Sequence, residues 1–68
     1  MALSARNHLK GEVTDVLLGT VTALITVKVG NNVIESVITR RSAEELKLKK
    51  GDKVAAVIKA TEVMIQKD

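Results

Sequence analysis

Between Thr20 and Val29 every second residue is apolar: Val21, Ala23, Ile25, Val27 and Val29 fall on one face, and Thr20, Thr22, Thr26 and Lys28 mostly fall on the other. A period of two is the signature of an extended strand with one buried face, and it makes no helical stripe. The segments around it read the same way. Leu9 to Leu18 alternates unevenly, with Glu12, Thr14 and Asp15 among Leu9, Val13, Val16 and Leu17, and it stops at Gly19. Gly30-Asn31-Asn32 suits a hairpin turn, because Gly and Asn accept positive φ at little cost. Asn32 to Thr39 returns with Val33, Ile34, Val37 and Ile38.

Ser42 with Glu45 three residues later is a capping-box pattern that predicts a short helix over Ala43 to Leu46. After the turn Lys49-Lys50-Gly51-Asp52, two more strands are expected, Lys53 to Lys59 and Glu62 to Gln66. Five strands with one short helix between the third and fourth is the element order of an OB-fold, a partly open Greek-key barrel. The fold class expected is therefore all-β, an OB-like barrel.

Sixty-eight residues suit a single domain over residues 1–68. A chain this short buries only about 60% of the surface its unfolded form exposes, so something must supplement the core. With no Cys and a single His, His8, disulfides and a structural metal both lack ligands. Oligomerisation is left, and a hydrophobic content of 46% supplies surface for it. The longest uncharged apolar run, Val21 to Val27, is far short of the roughly 20 residues of a membrane helix. Met1 to Arg6 has no apolar secretory core. A cytoplasmic protein with no membrane partner is expected.

Eleven Lys and Arg against eight Asp and Glu leave a formal charge of +3, a mild preference for anions. Phe, Tyr and Trp are all absent, which removes the platforms on which single-stranded bases stack. An OB-type nucleic-acid module, the alternative suggested by fold and charge, loses its usual means of recognition, so no nucleic-acid partner is expected. Catalysis is equally unsupported. No Cys is available, His8 has no acidic or nucleophilic companion in a motif, and no phosphate-cradling Gly loop occurs. Glu44-Glu45 is explained by favourable negative charge near a helix start.

Donors for an oxyanion are plentiful by contrast. Ser4-Ala5-Arg6-Asn7 offers a hydroxyl, a guanidinium, an amide and backbone N–H groups within four residues. Lys59-Ala60-Thr61 is a second such cluster, and Thr39 with Ser42 is a third. Together they suit a tetrahedral dianion.

These stretches also carry a family likeness. Ser4-Ala5-Arg6-Asn7 with Leu9-Lys10-Gly11, Gly19-Thr20-Val21, Val37-Ile38-Thr39 with Ser42, Glu45 and Leu46, Gly51-Asp52-Lys53-Val54 and Lys59-Ala60-Thr61-Glu62-Val63 resemble the molbindins, the small molybdate- and tungstate-binding Mop proteins. The resemblance implies a hexamer, a trimer of dimers, that binds molybdate or tungstate between subunits without an organic cofactor or a directly coordinated metal. It implies a principal site at a subunit interface, with the N-terminal Ser and Arg from one chain and the Lys near the C-terminus from another. By motif match these residues are Ser4, Ala5, Arg6, Thr39, Ser42, Lys59 and Ala60. A second site near the three-fold axis is implied at Gly19, Thr20 and Val21. His8 matches no family role. The function implied is non-enzymatic storage and homeostasis of the anions.

Overall fold

A computed structural model describes residues 4–68. Its frame is one antiparallel sheet of four strands, β1 (Asn7–Leu18), β2 (Thr22–Val29), β3 (Asn32–Thr39) and β4 (Lys53–Ile58), in the order β3-β2-β1-β4. One helix, α1 (Arg40–Glu45), joins β3 to β4. The all-β character, the meander of the first three strands and the place of the helix agree with the alternation and turn signals. The count of strands does not.

The fifth strand expected over Glu62 to Gln66 is absent among the described residues. In its place a 3-10 turn, Ala60–Glu62, leads into a tail without strand pairing. Val63 is still extended (φ −95, ψ 120), and Met64 and Ile65 are almost fully exposed. Val63, Met64 and Ile65 supply the consecutive apolar residues of a short strand. A strand, however, also needs a partner edge, and the tail pairs with none within its own chain.

β1 is the axis of the sheet. Its first half pairs with β4, from Asn7 opposite Ile58 to Glu12 opposite Lys53, and its second half pairs with β2, from Glu12 opposite Lys28 to Leu18 opposite Ala23. The register slips between Val13 and Asp15. That bulge adds one residue, Thr14, and so allows Val13 and Val16 both to face inward; the uneven alternation of this segment has this cause. Gly11 lies against β2, just before the ladder between the two strands begins at Glu12. A Cβ there would lie 2.5 Å from the Lys28 carbonyl oxygen and 2.8 Å from a Val27 methyl.

The core is small. Val13, Ala23, Ile25, Val27 and Ala43 are buried, and Val16, Val29, Ile34, Ile38, Leu48 and Val54 pack against them half-buried. Three of the five buried residues are alternate positions of β2, as its pattern demands. Val21, assigned to the same face, lies just outside the strand and is exposed. The β2–β3 hairpin closes with Val29 opposite Asn32, so Gly30-Asn31 is the loop. Gly30 has φ 60, the conformation a glycine-first hairpin turn requires.

Both ends of α1 differ from the capping-box reading. The helix starts two residues after Ile38, and its N-cap is Thr39, whose Oγ1 accepts from the Ser42 N–H at 3.0 Å. Ser42 is thus the third helical residue, and Glu45 is the last, ion-paired with Arg41. At the C-terminus the Leu48 N–H donates to the Ala43 carbonyl and the Lys47 N–H to the Glu44 carbonyl. This is a Schellman closure with Lys47, at φ 53, in the left-handed position that glycine usually takes.

Two substitutions test these backbone assignments. Gly11→Ala should destabilise the protein by about 1–3 kcal/mol in urea unfolding, because the new methyl meets a carbonyl in the sheet and cannot turn away. Lys47→Gly should instead raise stability by about 0.5–1 kcal/mol, since it removes the cost of a Cβ at positive φ.

Candidate functional site

The donor groups singled out in the sequence assemble at the two opposite ends of β1. At its start the ladder with β4 finishes on the pair Asn7 and Ile58. The Asn7 side-chain amide donates to the Ile58 carbonyl at 3.1 Å and ties this last rung. Arg6 precedes the one and Lys59 follows the other, so both flank the last rung at this end of the sheet. Ser4 and Ala5 continue on one side, and Ala60 and Thr61 on the other. Lys59 is extended (φ −66, ψ 136) and caps the 3-10 turn with its backbone alone, since its side chain makes no capping bond. The amides of Ala60 and Thr61 open that turn, where N–H groups have no acceptor within the turn itself.

Ser4, Arg6, Lys59, Ala60 and Thr61 are exposed, and Ala5 is half-buried. Two cationic side chains, two hydroxyls and several amides therefore share one end of the sheet, and no carboxylate occurs within Ser4–Asn7 or Lys59–Thr61. The family likeness implies that Arg6 and Lys59 of one site come from different subunits; within one chain they lie at the same end of the sheet.

The second cluster lies at the far end, where β1 finishes, β2 begins and β3 runs into α1. Thr22 pairs with Thr39, and Gly19-Thr20-Val21 is the connection that turns β1 into β2. Its backbone is held by three bonds: the Gly19 N–H donates to the Thr22 carbonyl at 2.8 Å, the Arg40 N–H to the Val21 carbonyl at 2.8 Å, and Arg40 Nη1 to the Gly19 carbonyl at 3.2 Å. The Thr39 hydroxyl accepts from the Ser42 amide and donates to Ser42 Oγ at 2.8 Å. Its proton is thereby committed, and the Ser42 O–H is the hydroxyl donor left facing outward.

The sequence reading gathered Thr39 and Ser42 with Ser4, Arg6 and Lys59, and set Gly19, Thr20 and Val21 apart. Within one chain Thr39 and Ser42 stand with Gly19–Val21, and the N- and C-terminal groups share the other end of the sheet. Twelve residues of β1, roughly 36 Å of strand at about 3.3 Å per step, separate the two clusters along the chain. One chain cannot wrap both around a single small anion. Arg40 is the residue that sequence reasoning missed. It lay in plain view beside Thr39, but only the fold turns its guanidinium back onto the Gly19 carbonyl while Nε meets Glu44 at 3.4 Å.

His8 sits on β1 opposite Val57, exposed and remote from an acid partner among the described hydrogen bonds. Among the described residues no group of three or more His, Cys, Asp or Glu could hold a metal ion, and no helix is long and apolar enough to cross a membrane.

The chain is similar to known proteins along nearly its whole length. The TOBE domain family matches residues 3–65. Molybdenum-pterin-binding protein 1 of Clostridium pasteurianum is 47% identical over 66 residues, which cover 96% of this chain and 97% of that protein. A molybdate-binding protein from Sporomusa ovata superposes with a TM-score of 0.95 at 39% identity, over 98% of this chain and all of that one. The cytoplasmic molybdate-binding protein ModG, solved with molybdate bound, matches at a TM-score of 0.82 and 41% identity, over 88% of this chain and 43% of the longer ModG chain.

Proposed function

This chain belongs to the TOBE domain family, alongside the molbindins that its terminal motifs resemble, and we propose that it is a non-enzymatic binder of molybdate and tungstate that stores or buffers these anions in the cytoplasm. One domain carries the function, no organic cofactor takes part, and the anions lie between subunits of a homo-oligomer, a trimer of dimers. The observation that carries this reading is the Asn7–Ile58 rung, which brings Arg6 and Lys59 to one edge with hydroxyl and amide donors beside them. Two fixed positive charges match a tetrahedral dianion. Charge-assisted N–H···O bonds to it are about twice as strong as neutral ones.

The separation of the two clusters supports an intersubunit site. Arg6, Lys59, Ser4 and the Ala5 and Ala60 amides of one chain meet Thr39 and Ser42 of a neighbour, and the Gly19–Val21 connection with Arg40 lines the second site. The single chain also has surface to assemble through. β3 and β4 each leave one edge of the sheet unpaired among the described residues, and the apolar tail Val63–Ile65 is exposed. On the outer face Leu17, Leu24 and Val37 form one cross-strand row, with Leu17 and Val37 well exposed. Anion and oligomer then stabilise each other by mass action. The molybdate-binding relatives lend no support to a nucleic-acid module.

Calorimetry with molybdate, tungstate and sulfate tests the reading. Heat and thermal stabilisation are expected from the first two, and their absence with both would refute it. Arg6→Ala should weaken molybdate by about 1.5–3 kcal/mol, roughly 10- to 100-fold, while the circular dichroism spectrum and urea midpoint stay unchanged. Mixed assemblies test the sharing. Arg6→Ala chains and Thr39→Val/Ser42→Ala chains should each bind poorly alone, yet recover a fraction of intact sites when refolded together. Mixtures no better than their components would place all donors in one chain.

A further inference from the structure

Two consecutive arginines open α1, and only one of them reaches beyond it. The first turn of a helix ordinarily favours carboxylates over cations, and this one holds no acidic residue. Arg40 and Arg41 each meet the glutamate four positions on, Arg40 Nε with Glu44 at 3.4 Å and Arg41 Nε with Glu45 at 3.2 Å. There the likeness ends. The Arg41 side chain is 89% exposed and makes no other hydrogen bond among the described residues. That of Arg40, at 43%, folds back on the Gly19–Val21 connection.

Arg40 holds that connection twice. Its Nη1 donates to the Gly19 carbonyl at 3.2 Å and its backbone N–H to the Val21 carbonyl at 2.8 Å. The Gly19 N–H in turn donates to the Thr22 carbonyl at 2.8 Å. Three carbonyl acceptors of the connection and its flank are therefore occupied by donors of the same chain. The Thr20 and Val21 N–H groups, by contrast, donate to nothing among the described residues, and both residues are exposed. Acceptors spent and donors left over suit a ligand that only accepts hydrogen bonds, as a deprotonated oxyanion does. Gly19, Thr20 and Val21 carry no charge of their own, and the guanidinium supplies one beside them.

We propose that Arg40 is a positioning residue for oxyanion binding at this connection: by bridging Glu44 and the Gly19 carbonyl, it keeps that carbonyl off the anion and leaves the Thr20 and Val21 amides for it. The inference rests on the reading of Gly19–Val21 as the second anion site. A guanidinium is needed here and not merely a cation. Its N–H groups form a planar fork that reaches two acceptors at once, whereas an ammonium is a point charge on a flexible stem.

Amide NMR on the assembled, full-length protein, with molybdate as the probe, tests this. In the wild type Thr20 and Val21 should shift saturably, as should Ala5 and Ala60 at the other cluster. Arg40→Met keeps the apolar stem and removes every side-chain donor. It should weaken the Thr20 and Val21 response roughly five- to tenfold, with the Ala5 and Ala60 midpoints unchanged. Without molybdate, the same variant should speed hydrogen exchange at the Gly19 amide. Arg41→Ala breaks the same kind of helix pair and should alter none of these, whereas a role confined to helix stability would move both variants alike. Arg40→Lys should restore the affinity only in part. Wild-type affinity at Thr20 and Val21 in Arg40→Met, full rescue by Lys, or an equal loss in Arg41→Ala or at Ala5 and Ala60 would overturn the proposal while leaving the anion site standing. A wild type in which Thr20 and Val21 never respond would remove the second site itself, and the proposal with it.

Discussion

Everything in this small protein is referred to one strand that is hydrogen-bonded along both sides. β1 gives its first half to β4 and its second half to β2, and the two ladders overlap at Glu12. A twelve-residue strand shared in this way must bend, and two devices allow it: the missing Cβ of Gly11 and the extra residue at Thr14. The bulge lets Val13 and Val16 both face the core, and the two ends of the strand lie at different ends of the sheet. The terminal donors gather at one of those ends, and the Gly19–Val21 connection with Thr39, Ser42 and Arg40 gathers at the other.

The isolated chain is in several respects unfinished. Five buried residues are a thin core, two sheet edges lack partners, and a row of exposed Leu and Val crosses the outer face. Unpaired edges beside an exposed apolar tail normally invite pairing with another chain. A five-strand barrel of this type with only four strands placed has its gap between β3 and β4, the first and last in the sheet order. The incompleteness of the fold and the division of the donors between two distant clusters thus point the same way. Both are what the homo-oligomer proposed above would complete.

Legibility in the sequence followed the range of the interaction concerned. The β2–β3 hairpin was readable because alternation and a Gly-Asn turn are local, and Ala23, Ile25 and Val27 are buried as the pattern demands. The helix was found but its cap was not. Thr39 and Ser42 both suit an N-cap, and the choice depends on where β3 stops pairing with β2, which is at Thr39. The uneven run of β1 looked like weak strand signal and was a bulge, whose extra residue shows only against a partner. Arg40 escaped notice because its contact with Gly19 spans 21 positions.

The amino-acid sequence by itself determined the chemistry on offer and the class of fold: a period-two pattern too regular for helix, no residues for a disulfide or metal, no aromatic platform, and donors for an oxyanion near both termini. Each of these is a property of composition or of neighbours along the chain. Only the tertiary structure decided which donors meet, since strand register selects companions far apart in sequence. That is why Arg6 and Lys59, more than fifty positions apart, share one end of the sheet while Thr39 lies at the other end of β1.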